Sequence, residues 1–248
     1  MNQLSPSTIQ SIANSLHLNA QVGVAQARVF TELEPILHAR PTPFVRADIQ
    51  QRINPFLVLP DAKSIIALAF GYLCNQPDYI PAPSDDTLPK FRRGGNYRNI
   101  CKDRLKLLWS KIESQITCDP EPNPNLAPGA ATSFKAKFLV DSGRLHERHI
   151  AKIAGLGWIG MNNLLYNPRF GFECYLGLIV TNLDIAPTSP IASGCTHCRE
   201  CLNRCPTHAL GEYSLDYTKC ISYLAQTDER YSHLSCDKCV WCKWAIKN

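Results

Sequence analysis

The chain has 248 residues, 45% hydrophobic and 19% charged, with 26 basic and 21 acidic side chains giving a formal net charge of +5. That balance fits a globular protein and excludes a disordered polyelectrolyte, and the length allows one large domain or two smaller ones. The longest apolar run, Ile65 to Phe70, is far too short to span a bilayer, so no membrane association is expected. The N-terminus, Met1-Asn-Gln-Leu-Ser-Pro6, has neither the basic nor the apolar stretch of a signal peptide.

In chain order, Ser5-Pro6 reads as a helix N-cap followed by proline at the first helical position. Ile9, Ile12, Ala13 and Leu16 then recur at helical spacing. A short strand is expected over Gln21 to Ala25. Thr31-Glu-Leu-Glu34 resembles a capping box for a second helix. Ser64 to Phe70 is continuously apolar and reads as a buried strand, followed by a proline-bearing loop over Asn75 to Pro89.

Cys101, Leu105, Leu108 and Ile112 mark the buried face of a long helix, and Arg98, Lys102 and Lys106 line another face at four-residue steps. Lys90 to Lys106 holds seven bases and one acid, Asp103, a patch suited either to a polyanion or to a solvated helix surface. Four prolines make Asp119 to Pro128 a surface loop. Phe134 to Asp141 reads as a strand ending on the acid, and Arg144 to Ala154 as a helix stopped by Gly155. The glycine-rich stretch Gly155 to Gly160 follows, then a buried strand over Glu173 to Val180 and a linker over Asn182 to Gly194. Strands and helices thus mix through residues 1–188, with a second unit over 189–248.

That second unit carries the chemistry. Cys195, Cys198, Cys201 and Cys205-Pro206 form C-x2-C-x2-C-x3-C-P, the spacing by which bacterial ferredoxins hold [4Fe–4S] clusters. Cys220, Cys236, Cys239 and Cys242 complete a second set. Under the ferredoxin rule Cys195, Cys198, Cys201 and Cys242 hold one cluster, and Cys205, Cys220, Cys236 and Cys239 the other. All-cysteine zinc sites also use paired C-x2-C groups, but rarely four cysteines in one run ending in C-P. Twelve cysteines with two such sets imply a reducing, cytoplasmic compartment. The remaining Cys74, Cys101, Cys118 and Cys174 lack ligand spacing and read as small buried hydrophobes.

The front unit has no dinucleotide fingerprint after a strand, no Walker loop and no H-E-x-x-H. His146 and His149, three apart on one helix face, read as structural or solvated. Asp141, in Val140-Asp141-Ser142-Gly143, is the acid that could face a cavity and donate a proton near neutrality if desolvated.

These residues carry a family resemblance. Val140 to Gly143, Ala154 to Asn162, the Asn167-Pro-Arg-Phe-Gly171 continuation and the Leu176 to Asn182 strand resemble epoxyqueuosine reductases. So do Arg52 to Ile66, Arg93 to Tyr97 and Cys220 to Leu224. The resemblance implies an α+β fold: a nitroreductase-like, cobalamin-binding α/β sandwich followed by a ferredoxin-like two-cluster module. It implies reduction of epoxyqueuosine to queuosine in tRNA, using cobalamin and two [4Fe–4S] clusters. It makes Asp141 the proton donor, and places Arg52, Asp141, Gly157, Trp158, Gly160, Asn162, Leu165 and Asn167 in the cobalamin-contacting segments. tRNA and a reductase, ferredoxin or flavodoxin electron donor are the expected partners of a monomer.

The sequence departs from the family at several points. Met161 replaces a lysine, Arg144 a small residue or proline, and Asn96 and Arg98 an acid and a histidine. Cys242 is followed by Lys-Trp-Ala in place of Pro-Trp-Asn. A short form without the family's C-terminal helical-repeat domain is expected. Two alternatives stay open: a cobalamin reductase of this architecture acting on a small molecule, and a non-catalytic iron–sulfur carrier or corrinoid-activating protein.

Overall fold

The computed structural model describes residues 4–39, 47–82, 89–117 and 134–220. Helix α1 (Pro6–Ser15) starts at Ser5, whose side chain accepts from the Thr8 backbone N–H at 3.2 Å, as its Ser-Pro start predicts. Strand β1 (Ala20–Gln26) leads to a 3-10 turn at Thr31–Leu33 and then α2 (Glu34–Ala39). Thr31 therefore opens the helical turn and does not cap it. Phe30 occupies the cap with no side-chain bond, its ring buried in the core.

Helix α3 (Ile49–Ile53) is capped by Asp48 and precedes β2 (Ser64–Gly71), buried at all eight positions. Helix α4 (Tyr97–Thr117) and β3 (Ala136–Leu139) follow, then α5 (Glu147–Ile153), the short β4 (Trp158–Ile159) and β5 (Leu165–Tyr166), and β6 (Cys174–Thr181). The cysteine region adds α6 (Glu200–Asn203) and a small hairpin of β7 (Leu210–Gly211) and β8 (Ser214–Leu215). The proline loop of 119–128 and part of that of 75–89 lie outside the described residues.

The main sheet runs β1-β2-β6-β3 and every pairing in it is antiparallel. Both faces are covered, which is why β2 reads as an unbroken apolar run and not an alternating one. On one face Ile9 and Ile12 of α1 and Leu105, Leu108 and Ile112 of α4 pack on Val24, Leu68 and Ile179. On the other, Leu37, Ile53, Ile150 and Ala151 pack on Ile65, Ala67 and Val180. The fold is thus mixed α and β around an antiparallel sheet.

Two elements are shorter than their sequence signals. The strand after 134 pairs with β6 only over 136–139, so Asp141 stands beyond the ladder. Helix α5 begins at Glu147, not Arg144, because Asp141 and Gly143 take left-handed backbone (φ +47° and +71°) and turn the chain first. The expected linker is pinned to the sheet edge. The Thr188 N–H bonds the Val24 carbonyl at 2.9 Å, and the Val24 N–H bonds the Thr188 hydroxyl at 3.1 Å.

Helix α5 docks on β1 at Gly23, where a Cβ would lie 2.0 Å from the Ala154 carbonyl oxygen. Backbone cannot yield there as a side chain could. Gly23→Ala should lower stability by about 1–3 kcal/mol or more, read as a reduced urea midpoint at unchanged slope.

Candidate active site and cysteine module

One end of the sheet opens into a cavity of about 340 Å³ lined chiefly by Arg52 of α3, Tyr72, Tyr97 of α4, the 141–148 turn and Cys174-Tyr175-Leu176 of β6. Three aromatic rings form one wall. Tyr97 stacks on Tyr175 at 4.6 Å with planes 6° apart, and Tyr175 lies 4.7 Å from Tyr72. The Tyr175 hydroxyl donates to the Phe91 carbonyl at 2.9 Å, which fixes the stack to the segment before α4.

Asp141 sits at the rim, its side chain about half exposed. Three donors converge on a single oxygen, Oδ2: the Tyr97 hydroxyl at 2.8 Å, and Nε and Nη2 of Arg98 at 2.8 and 2.5 Å. Oδ1 has no hydrogen bond among the described residues and is the oxygen left to meet a substrate. Below the turn, the Glu147 carboxylate accepts the backbone N–H of Asp141 at 3.0 Å and of Ser142 at 3.3 Å. Burial, the larger cause, and repulsion from Asp141 push the Glu147 carboxyl up to about 7, against the pull of those N–H groups.

The floor of the cavity is basic. Arg52 is buried, and its Nε has no hydrogen-bond partner. Arg148 donates to the Asn163 carbonyl, and the His146 and His149 rings meet through their Nδ1 atoms at 3.0 Å. Burial first, then the charges of His149, Arg148 and Arg52, push His146 down to about 2, so it stays neutral at physiological pH.

Of the residues expected in the site, Arg52 and Asp141 line the cavity together. Gly157, Trp158, Gly160, Asn162, Leu165 and Asn167 do not; from their loop it is Leu164 that reaches it. Those six brace the loop itself. Gly157 (φ +150°) lies where a Cβ would meet the Tyr166 carbonyl oxygen at 1.8 Å. Asn167 is fully buried, donates to the Leu156 carbonyl at 2.7 Å and accepts from the Arg169 and Phe170 N–H groups. Asn162 accepts from Leu164 N–H, Leu165 is in the core, Trp158 stacks on Tyr166, and a Cβ at Gly160 would strike the Phe172 ring. Cys174 lines the cavity and is only partly buried, whereas Cys101 is the buried core thiol expected of it. Cys118 lies outside the described residues.

Glu147 and Arg148 join the site without a motif of their own to announce them, whereas Tyr97 and Arg98 stand in a segment that bears on the family resemblance but does not read as part of the site. An acid in a first helical turn reads as complement to the helix dipole, and Arg98 as part of a solvated face.

The cysteine region touches this loop directly. Met161 packs with Leu202, Cys205 and Leu210, and its carbonyl accepts the Tyr213 N–H at 3.0 Å. Left-handed backbone at His197 and Arg199 (φ +54° and +62°) turns the chain on either side of Cys198. Cys201 is pushed up mainly by burial, with Cys195 and Cys198 close enough to add to the shift. Burial acts upward on Cys205 too, but the Thr207 hydroxyl and the backbone N–H groups of Thr207, Ala209 and Leu210 outweigh it. The net shift is down, toward the thiolate that metal ligation needs. Among the described residues no three His, Cys, Asp or Glu side chains close to metal-binding separation. Cys236, Cys239 and Cys242 lie outside them, so the pairing of the two sets is not read from the structure.

Several known proteins resemble this chain in sequence and fold. The chain is 34% identical over 215 residues to the epoxyqueuosine reductase of Staphylococcus aureus, covering 83% of this chain and 53% of that protein. The chain belongs to the epoxyqueuosine reductase family. It spans about half the length of the curated relatives it matches. The solved epoxyqueuosine reductase of Streptococcus thermophilus superposes with a TM-score of 0.75 at 29% identity, over 96% of this chain and 65% of that one. Another family member, crystallised with an epoxyqueuosine-modified tRNA-Tyr stem loop, gives 0.74 at 28%, over 94% and 63%. A reductive dehalogenase, described as supporting a B12-dependent mechanism, shares the fold alone, with a TM-score of 0.59 at 14% identity over 96% of this chain and 31% of that one. No protein-family profile matches the chain. Among the described residues no helix is long and apolar enough to cross a membrane.

Glu147 should leave a signature in stability. Its folded carboxyl keeps a proton to about pH 7 against an ordinary value of 4.5. Between those values the folded state binds more protons than the unfolded, so stability falls as pH rises through the window. Glu147→Gln removes this loss, and relative to wild type it should gain about 2–3 kcal/mol from pH 4.5 to 7.5 in urea titrations. Parallel pH profiles would contradict the buried-carboxyl assignment.

Proposed function

We propose that the chain reduces epoxyqueuosine to queuosine in tRNA, with cobalamin in the cavity and two [4Fe–4S] clusters in the cysteine module. The observation that carries this is the cavity itself: in a family with a member solved on an epoxyqueuosine-modified stem loop, it sets an acid with an unpaired oxygen, Asp141, above a buried guanidinium without an acceptor, Arg52. In this reading residues 1–188 form a nitroreductase-like sandwich and 189–248 a ferredoxin-like module, and the protein works as a cytoplasmic monomer fed by a reductase, ferredoxin or flavodoxin.

Converting an epoxide to an alkene and water breaks both carbon–oxygen bonds and consumes two electrons and two protons. The bound clusters and corrin would supply single-electron transfer and a low-valent metal. The residues that fit the corrin are the apolar Leu145, Leu164 and Leu176, with Arg52 in the same lining for an anionic group of the cofactor. Cys195, Cys198, Cys201 and Cys242 would hold one cluster, and Cys205, Cys220, Cys236 and Cys239 the other.

Protons are the task of this chain's own side chains. Asp141 delivers one through Oδ1 to the departing oxygen. Its Oδ2 is held by Arg98 and Tyr97, which fix the orientation of the carboxyl. Glu147, protonated up to about neutrality, sits beneath the same turn as the second carboxyl of the cavity.

A small-molecule substrate is the second reading, favoured by the state of the basic patch. Lys90, Arg98 and Lys106 are each paired with an acid, and Arg104 is spent on hydrogen bonds to the Leu18 carbonyl and Gln76, so little of the patch stands ready for phosphates. Salt separates the two: binding of a stem loop held by phosphate contacts weakens steeply with ionic strength, and insensitivity to salt would favour the small molecule.

Asp141→Asn should keep its iron and corrin and lose turnover of a modified stem loop by about a hundredfold or more. Normal turnover in that variant would remove Asp141 from the chemistry.

A further inference from the structure

We propose that Arg52 and Arg148 form an anion subsite in the cavity floor that takes a phosphodiester group. This rests on the functional reading above for the source of the ligand, though not for the site itself.

Arg52 occupies the last turn of α3, where its backbone is fully engaged. Its N–H bonds the Asp48 carbonyl and its carbonyl accepts the His146 N–H at 3.0 Å. The guanidinium is left over. The residue is only 9% exposed, Nε finds no acceptor, and its side chain has no ion pair or hydrogen bond among the described residues. A buried cation in that state costs folding free energy, and it is stranger still beside a second one. Arg148 is that neighbour, and its charge is the strongest influence on Arg52 after burial itself.

Among the described residues no acid forms an ion pair with either guanidinium. His146 and His149 bond each other, with His146 neutral. The two acids in the vicinity are engaged elsewhere: Glu32 pairs with Arg28 at 2.5 Å, and Glu147 holds the 141–142 turn. Arg52, His146 and Arg148 all line both the main cavity and a smaller, more enclosed recess of about 20 Å³ that reaches Leu215 and Tyr217. The positive charge therefore faces space that a ligand can enter.

The geometry of guanidinium recognition selects the class of anion. A planar carboxylate is satisfied by one fork of N–H groups, whereas a tetrahedral phosphodiester offers two non-bridging oxygens to two forks at an angle. Two sources carry that group: the nucleotide loop of cobalamin and the RNA backbone. Depth favours the cofactor, since Arg52 is enclosed while Asp141, at the rim, has a side chain 51% exposed.

The test compares cobalamin with cobinamide, the same corrin without the phosphodiester-linked nucleotide loop, titrated into the full-length wild-type, Arg52→Gln and Arg148→Gln proteins and followed by visible absorption. Wild type should prefer cobalamin by about tenfold or more, the scale of a charge-assisted hydrogen bond. Each variant should lose most of that preference while cobinamide binding moves less than about threefold. Equal weakening of both corrinoids, or a preference intact in the variants, overturns the subsite. A preference absent from wild type, together with a stem-loop salt slope about one contact shallower in Arg52→Gln, assigns the phosphodiester to RNA. If wild type takes up neither corrinoid, the cofactor reading fails, and inorganic phosphate decides the subsite. Thermal stabilisation by phosphate in wild type but not in Arg52→Gln sustains it, and equal response of the two overturns it.

Discussion

Helix α5 meets β1 backbone against backbone, at a point where Gly23 lets the Ala154 carbonyl come closer than any side chain would allow. That contact sets the depth of the helix on the sheet, and the rest of the site is attached to its two ends. Its first residues, Glu147 and Arg148, hold the acidic turn from below and bring a second guanidinium to Arg52. Its last turn runs through Gly155 into the braced loop of 157–167, whose Met161 packs against the cysteine region. One short helix therefore connects the acidic turn, the cavity floor and the loop that meets the cysteine region.

The polar groups along this path are arranged in opposition. At the rim, Asp141 is over-supplied with donors, three on one oxygen. Beneath it, Glu147 is partly buried and kept from ionising until about neutral pH. At the floor, Arg52 has no ion pair among the described residues. A carboxyl tied to Arg98, a proton-bearing carboxyl and a pair of guanidiniums within one cavity make an environment for a substrate that gains protons and for a ligand that brings its own negative groups. Arg98 stands where relatives of this sequence are expected to carry histidine, so the strength of the hold on Asp141 is a property of this chain.

Much of the fold was legible because its signals are local. The all-apolar Ser64 to Phe70 run predicted a strand covered on both faces, and Ser5-Pro6 predicted a helix start. Signals failed where tertiary contact decides the outcome. Thr31-Glu-Leu-Glu34 has the residues of a capping box, but burial of Phe30 takes the cap position. The start of α5 moved to Glu147 because the backbone at Asp141 and Gly143 turns first, and no spacing rule announces a non-glycine residue at φ +47°. In the site, Asp141 and Arg52 were found through resemblance. Tyr97 and Arg148 act through partners 44 and 15 residues away, and Glu147 through the backbone of a turn five and six residues before it, none of which a helix-face pattern shows. The loop from Gly157 to Asn167 illustrates the converse: its residue pattern is distinctive, yet in the structure most of those side chains brace the loop itself.

The central claim is that this cavity receives electrons from two clusters in the cysteine module and passes them to a corrin. Anaerobic reconstitution with iron, sulfide and cobalamin, read by metal analysis and electron paramagnetic resonance, tests it most directly. The account predicts about eight irons per chain, cubane signals on reduction and a bound base-off cobalt. About four irons, or a single zinc in their place, would contradict it.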